Sequence, residues 1–172
     1  MRTDGQANRD RILSVAEEVF GSGGPAASTE EVARRAGVGI ATVFRHFPTK
    51  AALLEAVLTR RFDRLHAEAR GAEFHDFFRH LVADAATKIA IGDAFADAGG
   101  DLGGTAAQAS LRLRQAVGEL LDRAQRAGTV RSEVELPEVY ALLIATSRAH
   151  LDAGVRDRVL AIVFAGLAPS GP

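Results

Sequence analysis

The chain of 172 residues contains no cysteine and no tryptophan, and only one tyrosine and one methionine. Without cysteine there is no disulfide and no thiolate metal site, so stability has to come from an ordinary packed core. An excess of one charge is also missing: 21 Lys and Arg face 22 Asp and Glu, a net charge of −1. Bulk charge therefore does not draw this chain to a polyanion, and any nucleic-acid affinity must come from charges gathered on one face. No apolar run approaches the roughly 20 residues a membrane-spanning helix needs. The charged N-terminus is not followed by an apolar core, so a signal peptide is not expected and a cytoplasmic location is. A composition 47% hydrophobic and 25% charged is that of a globular protein rather than a disordered one. The length suffices for one ordinary domain or two small ones.

Helix signals dominate, and no segment alternates with period two. Ile12, Leu13, Ala16, Val19 and Phe20 make an apolar stripe that stops at Gly21-Ser22-Gly23-Gly24-Pro25. Ser28 and Glu31 form a capping box for a short second helix with Val32, Ala33 and Ala36 inward. Gly37 ends it, as a residue free to take a left-handed conformation. A third helix, 40–46, buries Val43 and Phe47 and is closed by Pro48. Thr49 then caps a long fourth helix through Leu53, Leu54, Val57, Leu58, Phe62 and Leu65. Two short helices joined by so tight a turn, Gly37-Val38-Gly39, cross steeply, which lets the second enter the major groove of DNA. The first 64 residues hold ten basic and eight acidic side chains, an asymmetry of the sign DNA requires.

The second half is helical too. Phe74, Phe77, Phe78, Leu81, Val82, Ala85 and Ile89 share one stripe, and a glycine-rich linker follows at 99–104. Thr105 and Gln108 suggest a capping box opening a helix with Leu113, Ala116, Val117, Leu120, Leu121 and Ala124. Pro137 suits the first position of a helix over 139–150 that is apolar on almost every side. Such a helix needs cover on two sides, either from its own bundle or from a second copy of the chain. A last helix carries Val159, Leu160, Ile162, Val163, Phe164 and Leu167, and Pro169 ends it.

These motifs resemble the TetR family of one-component bacterial regulators. The likeness covers residues 9–58 and lies in Arg11-Ile12-Leu13-x-x-Ala16, Val32-Ala33-x-x-Ala36-Gly37-Val38, Thr42-x-Phe44-x-His46-Phe47 and Lys50-x-x-Leu53-Leu54. It implies that Thr29 contacts a phosphate from the start of the second helix, and that Gly39, Ile40, Ala41 and Thr42 lie nearest the base edges. It implies that Arg45 reaches a guanine or a phosphate, and that His46 and Lys50 contact phosphates. Phe44 stands where the family usually has tyrosine, so a phosphate-bonding hydroxyl is missing and apolar contact with the backbone sugar is what remains. Ile40 and Ala41 cannot hydrogen-bond a base but can pack on a thymine methyl. An N-terminal arm with Arg2 and Arg9 would add phosphate or minor-groove contacts.

The resemblance further implies an all-α fold, with a three-helix DNA-binding domain at 1–50 and a helical ligand-binding and dimerisation domain at 51–172. Its last two helices would form a homodimer seam through Val139, Leu142, Leu143, Val159, Val163 and Phe164. Two reading heads one DNA turn apart would match a palindromic double-stranded operator. An effector pocket for an unknown small molecule would draw on Phe74, Phe77, Phe78, Phe95, Leu113, Val117, Tyr140 and His150. No cofactor, metal site or catalytic residue is expected: the histidines lack His-Glu-x-x-His spacing, and neither a Gly-x-Ser-x-Gly nor a phosphate loop is present. Asp76 and His80, one turn apart, read as an exposed helix pair. The expected protein is a ligand-released repressor; the alternative is a helical sensor or carrier with weakened DNA binding.

Overall fold

The residues described form eight α-helices and no strand. The computed structural model describes residues 2–101, 103–149 and 151–169, with side chains from Gly5 onward. The helices are α1 (Arg2–Gly23), α2 (Thr29–Ala36), α3 (Ile40–His46), α4 (Lys50–Ala69), α5 (Phe74–Asp97), α6 (Thr105–Arg126), α7 (Leu136–Arg148) and α8 (Ala153–Leu167). No helix among the described residues is long and apolar enough to cross a membrane.

The backbone divides into two compact units, Met1–Asp63 with Thr87–Ser110, and Arg64–Ala86 with Leu111–Pro172. Helices α4, α5 and α6 therefore each begin in one unit and end in the other. The core of the first unit holds Ile12, Ala16 and Phe20 of α1, Val32 of α2, Val43 of α3, and Leu53, Leu54 and Val57 of α4, all at 0% exposure. At the end of α5, Gly100 lies so close over the Phe95 ring that a Cβ would approach to 2.2 Å, so only glycine fits that turn. In the second unit Phe74, Phe77 and Phe78 of α5 and Leu113, Val117, Leu120 and Leu121 of α6 are buried with Val139, Leu143, Leu160 and Phe164. Phe78 meets Phe164 edge-on at 5.6 Å, and the Arg131 amide donates to the Leu167 carbonyl at 2.9 Å, tying the loop before α7 to the end of α8.

Two local expectations change. The N-terminal arm is helical from Arg2: Gln6 donates to Asp10 at 2.9 Å and Arg11 to Asn8 at 2.6 Å, so polar pairs at helical spacing carry α1 past its apolar stripe. The start of α6 is not capped by a local Thr105–Gln108 box. The Glu55 carboxylate of α4 accepts from the Thr105 amide at 2.9 Å and its hydroxyl at 3.1 Å. That carboxylate also lies against Gly104, where a Cβ would come within 2.2 Å of it.

Candidate nucleic-acid interface

The turn that aims α3 is built from the residues that announced it. The Ser28 hydroxyl accepts the Glu31 amide at 3.1 Å and starts α2. Gly37 sits at φ 66°, a left-handed conformation that costs other residues energy, and the Val38 amide returns to the Ala33 carbonyl at 3.0 Å. Extended backbone at Gly39 opens α3, and the Phe47 amide closes it on the Val43 carbonyl at 2.8 Å. The Thr49 hydroxyl accepts the Ala52 amide at 3.0 Å and starts α4. Val43 and Phe47, at 0% and 3% exposure, anchor α3. Ile40, Ala41, Phe44 and Arg45 consequently face outward, Thr42 and His46 are half-buried, and Gly39 is exposed.

Charge on this face is unevenly available. Arg34 is held by Glu31 at 2.7 Å and Arg35 by Glu18 at 2.9 Å, both pairs exposed, so these arginines form a solvated helix face. Arg45 makes no hydrogen bond or ion pair among the described residues and is exposed. Lys50 is half-buried; its ammonium donates to the Pro25 carbonyl at 3.1 Å and stands 5.4 Å from the Phe20 ring centre. It straps the start of α4 to the α1–α2 connection. Arg9 lies over the Phe47 ring at 5.1 Å, on the body of α1 rather than on an arm, while the Arg2 side chain falls outside the described residues. Thr29 is buried, 6% exposed, and the His46 Nε2 is buried with no hydrogen-bond partner among the described residues.

Sequence reasoning did not single out what holds this head to α4. Arg61 of α4 is 2% exposed and reaches Glu17 of α1, itself 13% exposed, at 2.5 Å. Arg60 adds a second contact to Glu17 at 3.3 Å and bonds Ser14 at 3.2 Å. Its sequence signal was faint: Glu17 interrupts an apolar stripe, but its partners lie 43 and 44 residues away.

In the second unit, Phe74, Phe77, Phe78, Leu113 and Val117 are buried and Tyr140 is half-buried beneath Arg114, whose guanidinium is 4.6 Å from the ring centre. Burial raises the Tyr140 phenol above its ordinary pKa, and Arg114 pulls it partly back. Phe95 belongs to the first unit, and His150 lies outside the described residues. A cleft of about 340 Å³ in the second unit is lined by Glu73, Phe74, Leu120, Arg123 and Ala124 among others; Phe74 is the expected pocket residue that it includes. Among the expected seam residues, Val139, Leu143 and Phe164 are buried within the unit, whereas Leu142, Val159 and Val163 are part-exposed. Ile144 and Ile162, 55% and 72% exposed, are the large apolar side chains that α7 and α8 leave in solvent. His80 faces Glu68 at 3.2 Å rather than Asp76.

Comparison with known proteins places this geometry. Residues 12–57 match the model described as bacterial regulatory proteins, tetR family. Residues 68–169, more than half of the chain, match that of the SbtR-like transcriptional regulator C-terminal domain. The chain belongs to the TetR family of transcriptional regulators.

Two solved TetR structures match nearly end to end. The TetR transcription regulatory protein of Mycobacterium vanbaalenii is 38% identical, with 98% of this chain and 99% of that one covered and a TM-score of 0.81. A TetR transcriptional regulator of Streptomyces coelicolor is 31% identical over 95% of this chain and 99% of that one, with a TM-score of 0.73. Among curated relatives, the HTH-type transcriptional regulator UidR of Escherichia coli is 32% identical over 82 residues, 45% of this chain and 42% of that protein. The HTH-type transcriptional repressor KstR of Mycolicibacterium smegmatis is 39% identical over 61 residues, 35% of this chain and 30% of that one. The match spans less than half the length of these curated relatives. The protein is thus a TetR-family transcriptional regulator, and its helix-turn-helix is the α2–α3 pair.

Proposed function

We propose that this TetR regulator is a homodimeric repressor that reads a palindromic operator with two α3 helices and leaves it when a small molecule binds. The observation that carries the reading is the outward face of α3. Ile40, Ala41, Phe44 and Arg45 are exposed there while Val43 and Phe47 fix the helix from behind. In this reading residues 1–50 contact DNA, with Gly39, Ile40, Ala41 and Thr42 nearest the bases, Phe44 in apolar contact beside them, Arg45 at a guanine or a phosphate, and Thr29, His46 and Lys50 at phosphates. Residues 51–172 dimerise and bind the effector.

Dimerisation is supported by the exposed apolar side chains of α7 and α8. Ile144 and Ile162 lie open, with Leu142, Val159 and Val163 part-exposed on the same two helices, a pattern that a second copy would cover. Repression follows the name of the mycobacterial relative, a transcriptional repressor. The effector would occupy the aromatic region of α5, α6 and α7 in the second unit. Release requires only that it bind the DNA-incompetent form more tightly; tenfold induction takes about 1.4 kcal/mol of difference.

Selection of bound sequences from a random duplex pool at near-physiological salt tests this. An enriched palindrome with half-sites about one turn apart is expected. A folded, dimeric protein that enriches nothing overturns the repressor reading in favour of a sensor or carrier.

A further inference from the structure

We propose that the operator half-site is selected through thymine methyl groups packed against Ile40 and Phe44. The inference rests on the reading of α3 as the DNA-reading helix and adds the kind of base it selects. The exposed side chains of α3 are Ile40, Ala41, Phe44 and Arg45, with Thr42 half-exposed between them. Three of those five, Ile40, Ala41 and Phe44, can neither donate nor accept a hydrogen bond.

Ile40 and Phe44 are 36% and 42% exposed. Neither is needed to seat the helix, since Val43 and Phe47 do that. Four residues apart, they share one side of α3 with their Cβ atoms about 5–6 Å apart. Stacked bases repeat about every 3.4 Å along a strand, so the pair covers positions within about two base steps. Thymine is the base that offers a methyl group in the major groove. Pressed against any other base edge, Ile40 or Phe44 would strip water from donors and acceptors and return nothing. Arg45, exposed and without an ion-pair partner among the described residues, supplies the adjacent positive charge that a phosphate chain requires. Selectivity at these positions is thus by apolar fit and by exclusion of polar edges.

The test uses the full chain and the duplex enriched from the random pool. Each thymine is replaced in turn by deoxyuridine, which removes the methyl group and keeps every hydrogen-bonding atom. Two thymines per half-site, within about two base steps, should each lose roughly fourfold in affinity. Uracil elsewhere should be neutral. Ile40→Ala should erase the loss at one thymine and Phe44→Ala at the other; both side chains are exposed, so the variants keep the fold. Full affinity for a site in which every thymine is uracil would overturn the proposal and leave DNA reading standing. Methyl losses that persist undiminished in both variants would assign the contact to other residues, and so overturn it as well. A pool that enriches no sequence would remove the underlying reading, and the proposal with it.

Discussion

Replacing Arg61 with alanine takes from the Glu17 carboxylate its shortest partner and leaves Arg60 at 3.3 Å. The pair is enclosed, with side-chain exposures of 2% for Arg61 and 13% for Glu17. Water therefore recovers little of what is lost. Breaking a buried pair by removing one member typically costs about 3–5 kcal/mol, because the remaining charge stays desolvated. Arg60 and the residual exposure of Glu17 place this case near the lower end, at about 3 kcal/mol. For a chain of this size each kcal/mol moves Tm by about 2–4 °C, so R61A should melt roughly 6–12 °C lower. The measurement is helical circular dichroism against temperature, at one fixed protein concentration because the proposed dimerisation would couple Tm to concentration. A Glu17→Leu, Arg61→Leu double variant removes both charges together and should fall well short of the summed single losses, with a coupling of about 2–3 kcal/mol. An R61A protein melting within about 2 °C of the parent, or a double variant that is simply additive, would refute the claim that this pair joins α1 to α4.

Four further outcomes are expected. Lys50→Ala should lower DNA affinity and reduce the slope of log affinity against log salt by about 0.9, one phosphate contact; a lower Tm with an unchanged slope would make Lys50 only the strap to Pro25. Glu55→Ala should cost about 1.5 kcal/mol by uncapping α6, measured by chemical denaturation, and combining it with Thr105→Val should add little; full additivity would deny the contact. Ile162→Asp, at a position 72% exposed, should leave helicity intact and yield monomers in sedimentation; an intact dimer would move the seam elsewhere. For Glu73, burial alone would raise the carboxyl, but hydrogen bonds from the His75 ring and from the Asp76 and His75 amides hold it below its ordinary pKa. A depressed folded-state pKa stabilises above the ordinary value, about 4.3, and that stabilisation is lost as pH falls through the lower one. The parent should therefore lose more Tm than Glu73→Gln between pH 7 and pH 3, by a few degrees at most because Glu73 is half-exposed; equal losses would contradict the assignment.

The head was legible because its signals are local. Ser28 with Glu31, Gly37, Pro48 and Thr49 act within four residues, and each marks the boundary the structure shows. The cap of α6 was illegible because Glu55 reaches Thr105 across 50 residues, while Thr105 and Gln108 imitate a local box. Arg61 carries a surface residue's chemistry and is buried only because α1 brings Glu17 to it. In α7 the apolar residues surround the helix, so periodicity does not show that Val139 and Leu143 point inward while Ile144 points out. The length of α1 was hidden for the opposite reason, since its first two turns carry no apolar stripe.

The fit of Glu55 around Gly104 and Thr105 has a mechanical consequence. The two bonds stand at 2.9 and 3.1 Å, so a shift of about half an ångström takes them beyond useful hydrogen-bond length. The same carboxylate lies against Gly104, where a side chain would compete with it for space. The Glu55 carboxylate thus fixes, to within about a third of one residue's rise, where α6 starts.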